Sequence, residues 1–228
     1  MCIRDRDING ATTFDRNVTF RLTTDYSPYI KTLASSQALG KKFGILDDVQ
    51  DKAFTVDHSK IKMTAAGQDV KKLFEMHHVL SDAGRTDAIK NILKELNLAP
   101  KGEFYLWVAK DSASFYNNYV KQNKNVTINL PAKLLVKEGE IVKNQFKQID
   151  FGNSYQSNLV TVGVPDVKPD KHALDRTGKK VLDGKEVQLG DFVQYLLDGV
   201  TVPEKHDTLY QYDGVDKLDM KHDRYTGN

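Results

Sequence analysis

A chain of 228 residues has room for one large domain or one and a half ordinary ones. With 39% hydrophobic and 28% charged residues, ten Tyr and ten Phe, it can bury a core, and such a composition excludes disorder. A net charge of +2, with Lys and Arg spread along the chain, excludes the concentrated basic face that nucleic acid requires. No apolar run approaches the roughly 20 residues that span a bilayer, so no membrane insertion is expected of this stretch. The single cysteine, Cys2, rules out an internal disulfide and a cysteine-based zinc site. It sits in MCIRDR, residues 1–6, which read as translated adapter sequence; the natural chain is expected to begin upstream.

Val18, Phe20 and Leu22 alternate with polar residues and predict a strand over 16–25. FGILDDV (43–49) predicts another, and 54–63 a third. Between Gln68 and Leu96 the period changes: Val70, Leu73, Phe74 and then Ile89, Ile92, Leu93, Leu96 recur at helical spacing. Two amphipathic helices broken at Gly84 are expected there, with His77 and His78 exposed at the end of the first. EFYLWVAK (103–110) is apolar on both sides, as in a strand covered on both faces. A short helix at 112–120 and strands at 125–130, 141–151 and 157–164 follow. This order predicts a mainly β fold, a β-sandwich with helical crossovers.

After Val164 the stretch PDVKPD has the composition of an interdomain linker. The chain then restarts. Laying Asn9-Gly10 on Asp183-Gly184 aligns NGATTFDRNVTFRL with DGKEVQLGDFVQYL, each a turn signal, a polar stretch and a strand. The expected units are a domain at 7–165 lacking its first strand and the beginning of a second at 166–228.

Two polar residues stand where strand alternation places apolar ones. In QSNLVTVGV, Asn158 shares a face with Val160, Val162 and Val164; in FGILDDV, Asp47 shares a face with Phe43, Ile45 and Val49. An unpartnered buried carboxylate is costly enough that it takes up a proton instead. A neutral acid beside an amide lacks only a lysine to form a Lys–Asn isopeptide bond. Burial turns the lysine into a neutral nucleophile, while the acid polarises the amide carbonyl and shuttles protons as ammonia leaves. The plain alternative is that Asn158 satisfies a backbone group and Asp47 caps a turn with Asp48. By the repeat, Lys171 lies 13 positions before Gly184, so its counterpart in the first unit falls before residue 1. In the second unit Lys171 is present with Asp216 as its candidate acid, and the matching asparagine is expected beyond residue 228.

At these residues the chain resembles the C-terminal region of the streptococcal antigen I/II family of cell-wall-anchored adhesins, the second C-terminal domain and the start of the third. APKGEFYLWVAKDSASFYNNYV, QIDFGNSYQSNLVTVGVP and KHDRYTGN carry the likeness. The resemblance implies immunoglobulin-like β-sandwiches of the DE-variant type, each crosslinked by a Lys–Asn bond assisted by Asp. It also implies an extracellular protein anchored to a Gram-positive cell wall, with no enzymatic activity beyond forming that bond. Asn158 matches the amide donor, Asp47 the first Asp of an Asp-Asp-Tyr strand, although Val49 replaces the Tyr, and Lys171 the next domain's lysine. Asp25, in FRLTTDY, matches a second Asp-bearing strand and is the alternative acid.

The resemblance further places a partner-binding segment at DAIKNILKELNLAPK (87–101), with Lys90, Lys94, Asn97 and Lys101 as its polar contacts to a host glycoprotein or a bacterial surface protein. A solvated lysine face is the blander account. Calcium is the one cofactor the resemblance raises, without a distinctive ligand set here. The competing function is a carbohydrate-binding module, with Tyr105, Trp107, Phe115, Tyr116 and Tyr119 lining a groove, although core packing accounts for most of that cluster.

Overall fold

The computed structural model describes residues 9–13, 16–30, 32–199 and 211–227; the adapter-like residues 1–6 lie outside them. In chain order the elements are β1 (Ala11–Thr12), β2 (Asn17–Thr23), α1 (Ser36–Leu39), β3 (Gly44–Asp48), β4 (Phe54–Val56), β5 (Lys62–Ala65), β6 (Gln68–Asp69), β7 (Phe74–Val79), α2 (Asp87–Glu95), β8 (Phe104–Ala109) and α3 (Ser112–Phe115). There follow β9 (Val126–Leu134), β10 (Ile141–Asn144), β11 (Phe146–Asp150), β12 (Asn153–Gln156) and β13 (Val160–Gly163), and after the linker β14 (Asp170–Leu174) and β15 (Gln194–Asp198).

Alternation of buried and exposed residues along β2 fixes its register on β9, because a one-residue slip would turn Val18, Phe20 and Leu22 out to water. One sheet runs β2-β9-β5-β6, with β4 also on β9; a second runs β12-β11-β3-β8-β7. A small sheet, β1-β13-β10, joins them, and its β1–β13 pairing is parallel. Phe20, Leu22, Ile128 and Leu130 of the first sheet share one core with Ile45, Tyr105 and Trp107 of the second. On the second sheet's other face Leu46, Leu106 and Ile149 pack with Ile89 and Leu93 of α2 and with Leu96 just after it. All six residues of β8 are therefore buried, as the two-sided pattern predicts. The architecture is the expected mainly β, immunoglobulin-like sandwich.

Several elements differ from the sequence reading. Residues 74–79 form an edge strand, not a helix, and pair with β8 along their whole length. Val70, Leu73 and Phe74 fit a helical period only across a single turn, and the backbone ladder offered by β8 outweighs so short a pattern. The strand expected over 54–63 breaks at a 3-10 turn, His58–Lys60, whose first amides the Asp57 side chain caps. The strand expected over 141–151 breaks at Gln145, where the chain passes from the small sheet to the second one. The stretch 157–164 is strand only from Val160. Before it, Phe151 and Gly152, with φ of 51° and 75°, make a two-residue turn that folds β12 back on β11. Ser157, Asn158 and Leu159 connect β12 to β13, and the valine face does not reach Asn158.

Candidate functional site

Asp47 is on the inner face of β3, in register with Phe146 on one side and Tyr105 on the other. It is fully buried. Its Oδ2 accepts a hydrogen bond from Asn144 Nδ2 at 3.3 Å, and its Oδ1 is buried without a partner. Burial, reinforced by the neighbouring Asp48 charge and opposed by the Asn144 bond, pushes its carboxyl up to about 7. A neutral acid next to an amide is the pair that the crosslink chemistry needs, but the amide is Asn144. The signal for Asn144 was available: Val142 and Asn144 are the alternate, buried residues of β10.

Asn158 is exposed. Ser157 N–H donates to the Phe146 carbonyl at 2.9 Å, and Ser157 Oγ accepts from Phe146 N–H at 3.1 Å. Since Phe146 is the register partner of Asp47, β11 lies between Asn158 and β3. The expected contact between Asn158 and Asp47 is therefore absent, because the turn at 151–152 carries Asn158 to the outer side of β11.

Asn158 instead lines a groove of about 610 Å³ with Thr23, Asp25, Tyr29, Gln148, Asp150 and Tyr155. The second-choice acid, Asp25, thus shares a groove with Asn158. Hydrogen bonds from Ser27 hold its carboxyl below the usual range, so it is ionised there. Asp150 is the residue that sequence reasoning missed. It is 1% exposed; its Oδ2 accepts from Gln148 Nε2 at 2.5 Å and from Tyr29 Oη at 3.1 Å, and its Oδ1 has no partner. Burial outweighs those bonds and raises it to about 6. Gln148 also clasps the Asp25 backbone, accepting from its N–H at 2.7 Å and donating to its carbonyl at 2.9 Å.

In the second unit β14 lies antiparallel to β15 with Lys171 opposite Leu197. Lys171 Nζ lies 2.9 and 3.0 Å from the two oxygens of Asp216 and 4.3 Å from the Tyr195 ring centre. The structure so brings together the lysine that the repeat singled out and its candidate acid.

Elsewhere the candidates are surface or core. Lys90, Lys94, Asn97 and Lys101 are all exposed on or just beyond α2. Thr86 caps that helix by accepting the Ile89 N–H, and Asn97 ends it with φ of 52°. Tyr105, Trp107, Phe115 and Tyr116 are core residues with Tyr119 packed against them, and none of the five lines the groove that holds Asn158. His77 and His78 are half-buried on β7, not exposed on a helix. Among the described residues no group of three or more His, Cys, Asp or Glu is placed to hold a metal.

Residues 4–164 match the family model described as the cell surface antigen I/II C2 terminal domain, and residues 168–228 match the cell surface antigen C-terminus. The chain belongs to the cell-surface antigen I/II family. It is similar to the C-terminal domain of the Streptococcus pyogenes antigen I/II-family protein AspA, at 35% identity and a TM-score of 0.72, over 87% of this chain and 61% of that one. It is likewise similar to the C-terminal domain of the Streptococcus agalactiae antigen I/II polypeptide BspA, at 32% identity and a TM-score of 0.70, over 90% and 61% of the two chains. A protein of Enterococcus faecalis named aggregation substance is 30% identical over 121 residues, 52% of this chain and 9% of that protein. The chain thus spans a small part of aggregation substance and about three-fifths of the solved C-terminal domains.

Proposed function

We propose that this stretch is a non-enzymatic stalk element of a cell-wall-anchored adhesin, stiffened by Lys–Asn bonds and projecting a distal binding surface toward a host glycoprotein or another bacterium. The observation that carries the reading is the Lys171–Asp216 pair, 45 residues apart in sequence and in bidentate contact. Lys171 is carried on β14, which lies on β15, and Asp216 reaches it from outside that pair of strands. In the first unit the counterpart of β15 is β2, which among the described residues pairs only with β9. A strand laid on β2 as β14 lies on β15 runs beside the groove that holds Asn158. Its lysine amine attacks the Asn158 side-chain carbonyl carbon; the new C–N bond replaces the bond to the amide nitrogen, which leaves as ammonia with a proton from the amine. A buried, neutral carboxyl nearby carries that proton. Asp150 meets both conditions, buried and on the groove with Asn158; Asp47 is as buried but lies across β11, and Asp25 lines the groove but is ionised.

The test is intact-mass measurement on the chain extended upstream through one more strand. Loss of about 17 Da, one ammonia, that disappears in Asn158→Ala supports the crosslink. An unchanged mass, or a loss that survives Asn158→Ala, refutes it for this domain. Adhesion is assigned to the exposed α2 segment, with Lys90, Lys94, Asn97 and Lys101 as its contacts.

A further inference from the structure

Four polar side chains from three separate segments meet at one end of the sandwich. His58 belongs to the turn joining β4 to β5 in the first sheet; His78 is on β7, with Tyr105 on β8 and Glu103 next to it, in the second. His58 Nε2 is 3.1 Å from Tyr105 Oη, and His78 Nε2 is 2.7 Å from Glu103 Oε1. The His78 ring stacks on Tyr105 at 4.2 Å and 3°, and the two imidazoles meet edge to face at 4.7 Å. His58 is therefore the side chain that ties its turn to the opposite sheet.

The cluster has one carboxylate for two imidazoles. The Glu103 carboxylate is engaged by His78. A proton on His58 is opposed first by burial, then by His78 and Lys71, while Asp57 and Glu103 act the other way. Asp57, adjacent in sequence, is engaged by Lys60 at 2.9 Å and by Ser59. Glu75 approaches His77, at 3.6 Å, not this pair. Asp47, register partner of Tyr105, is the remaining acid, and burial pushes it up to about 7.

We propose that His58, His78, Tyr105 and Glu103 form an acid-released latch: it closes the 57–61 turn onto the second sheet at neutral pH and opens it when His58 takes up a proton. Burial, then the His78 charge, holds His58 below its ordinary value. The closed form therefore binds fewer protons at His58 than the open one. Its stability is complete above the ordinary histidine range near 6.5 and declines as pH falls through it. The turn and edge strand β7 then open locally, while β9, between β2 and β5, stays closed.

Amide hydrogen exchange on the 228-residue chain, corrected for intrinsic pH dependence, tests this. Between about pH 7.5 and about pH 5, protection of residues 57–63 and 74–79 should fall relative to that of β9, which reports the pH dependence of the domain as a whole. His58→Gln should abolish the pH response, and His78→Gln, which removes the competing charge, should shift its midpoint upward. If His58→Gln fails to fold, His78→Gln alone decides. Protection of these segments that keeps pace with β9 between the two pH values, or a response unaltered by the substitutions, overturns the latch.

Discussion

Asp47→Asn should make the first domain more stable at neutral and alkaline pH and leave it unchanged in acid. The carboxyl rises from 3.8 in its unperturbed state to about 7 in the fold, mainly through burial. The folded form thus retains a proton that the unfolded chain has lost. Stability that is fully present below about pH 4 is lost as pH rises through about 7. About three pKa units at 1.36 kcal/mol each amount to about 4 kcal/mol. An asparagine is neutral throughout, has the same shape, and still offers an oxygen to Asn144 Nδ2, so it avoids that loss. Trp107 is the only tryptophan in the chain and is buried on β8 in the same core, which makes its fluorescence a reporter of this domain alone. Urea unfolding followed by that signal between about pH 4 and about pH 8 should give curves that coincide in acid and separate by several kcal/mol at the alkaline end. Parallel curves for the two proteins, or a variant less stable at pH 8, would show that Asp47 is not held neutral.

Leu93→Ala, which empties the contact of α2 with the outer face of the second sheet, should cost about 2–5 kcal/mol by the same fluorescence assay. Lys171→Ala should change the second unit's stability by under about 1 kcal/mol, since 41% of its side chain is exposed and exposed pairs contribute little; a double-mutant cycle with Asp216→Ala measures the coupling. Replacing Lys90, Lys94 and Lys101 together by Glu should leave unfolding within about 0.5 kcal/mol but abolish attachment of the purified chain to a partner surface. Full retention of attachment would return this helix face to the role of a solvated surface.

Legibility followed the number of faces that burial constrains. β2, with one buried face, and β8, with two, announced themselves by alternation and by an unbroken apolar run. α2 announced itself by a stripe two turns long. β7 did not, because an edge strand with half-buried Met76, His77 and His78 has neither period and depends on β8 for its conformation. The most consequential misreading came from continuity. Alternation runs without interruption through Gln145 and through Ser157, yet at each the chain changes sheets. A strand that changes sheets keeps its period while its faces change meaning. For that reason Asn158 left the core face assigned to it, and Asn144 and Asp150, on the two sides of the break, went unrecognised. Lys171 was legible through the repeat, which does not depend on knowing which face is buried.

Asp47 allows chemistry and stability to be separated. A carboxyl that costs about 4 kcal/mol at neutral pH by the linkage above, with one oxygen left without a partner, is a poor choice for packing; a leucine or an asparagine would serve the core better. Residues that lower stability persist at sites where a reaction needs them. If Asp47 is the proton shuttle, Asp47→Asn in the chain extended upstream should raise stability before crosslinking and abolish the loss of ammonia. If Asp150 is the shuttle, Asp47→Asn should stabilise the domain and leave the loss intact, while Asp150→Asn removes it. Mass and unfolding measured on the same two variants decide between the buried acid that touches Asn144 and the one that lines the groove with Asn158.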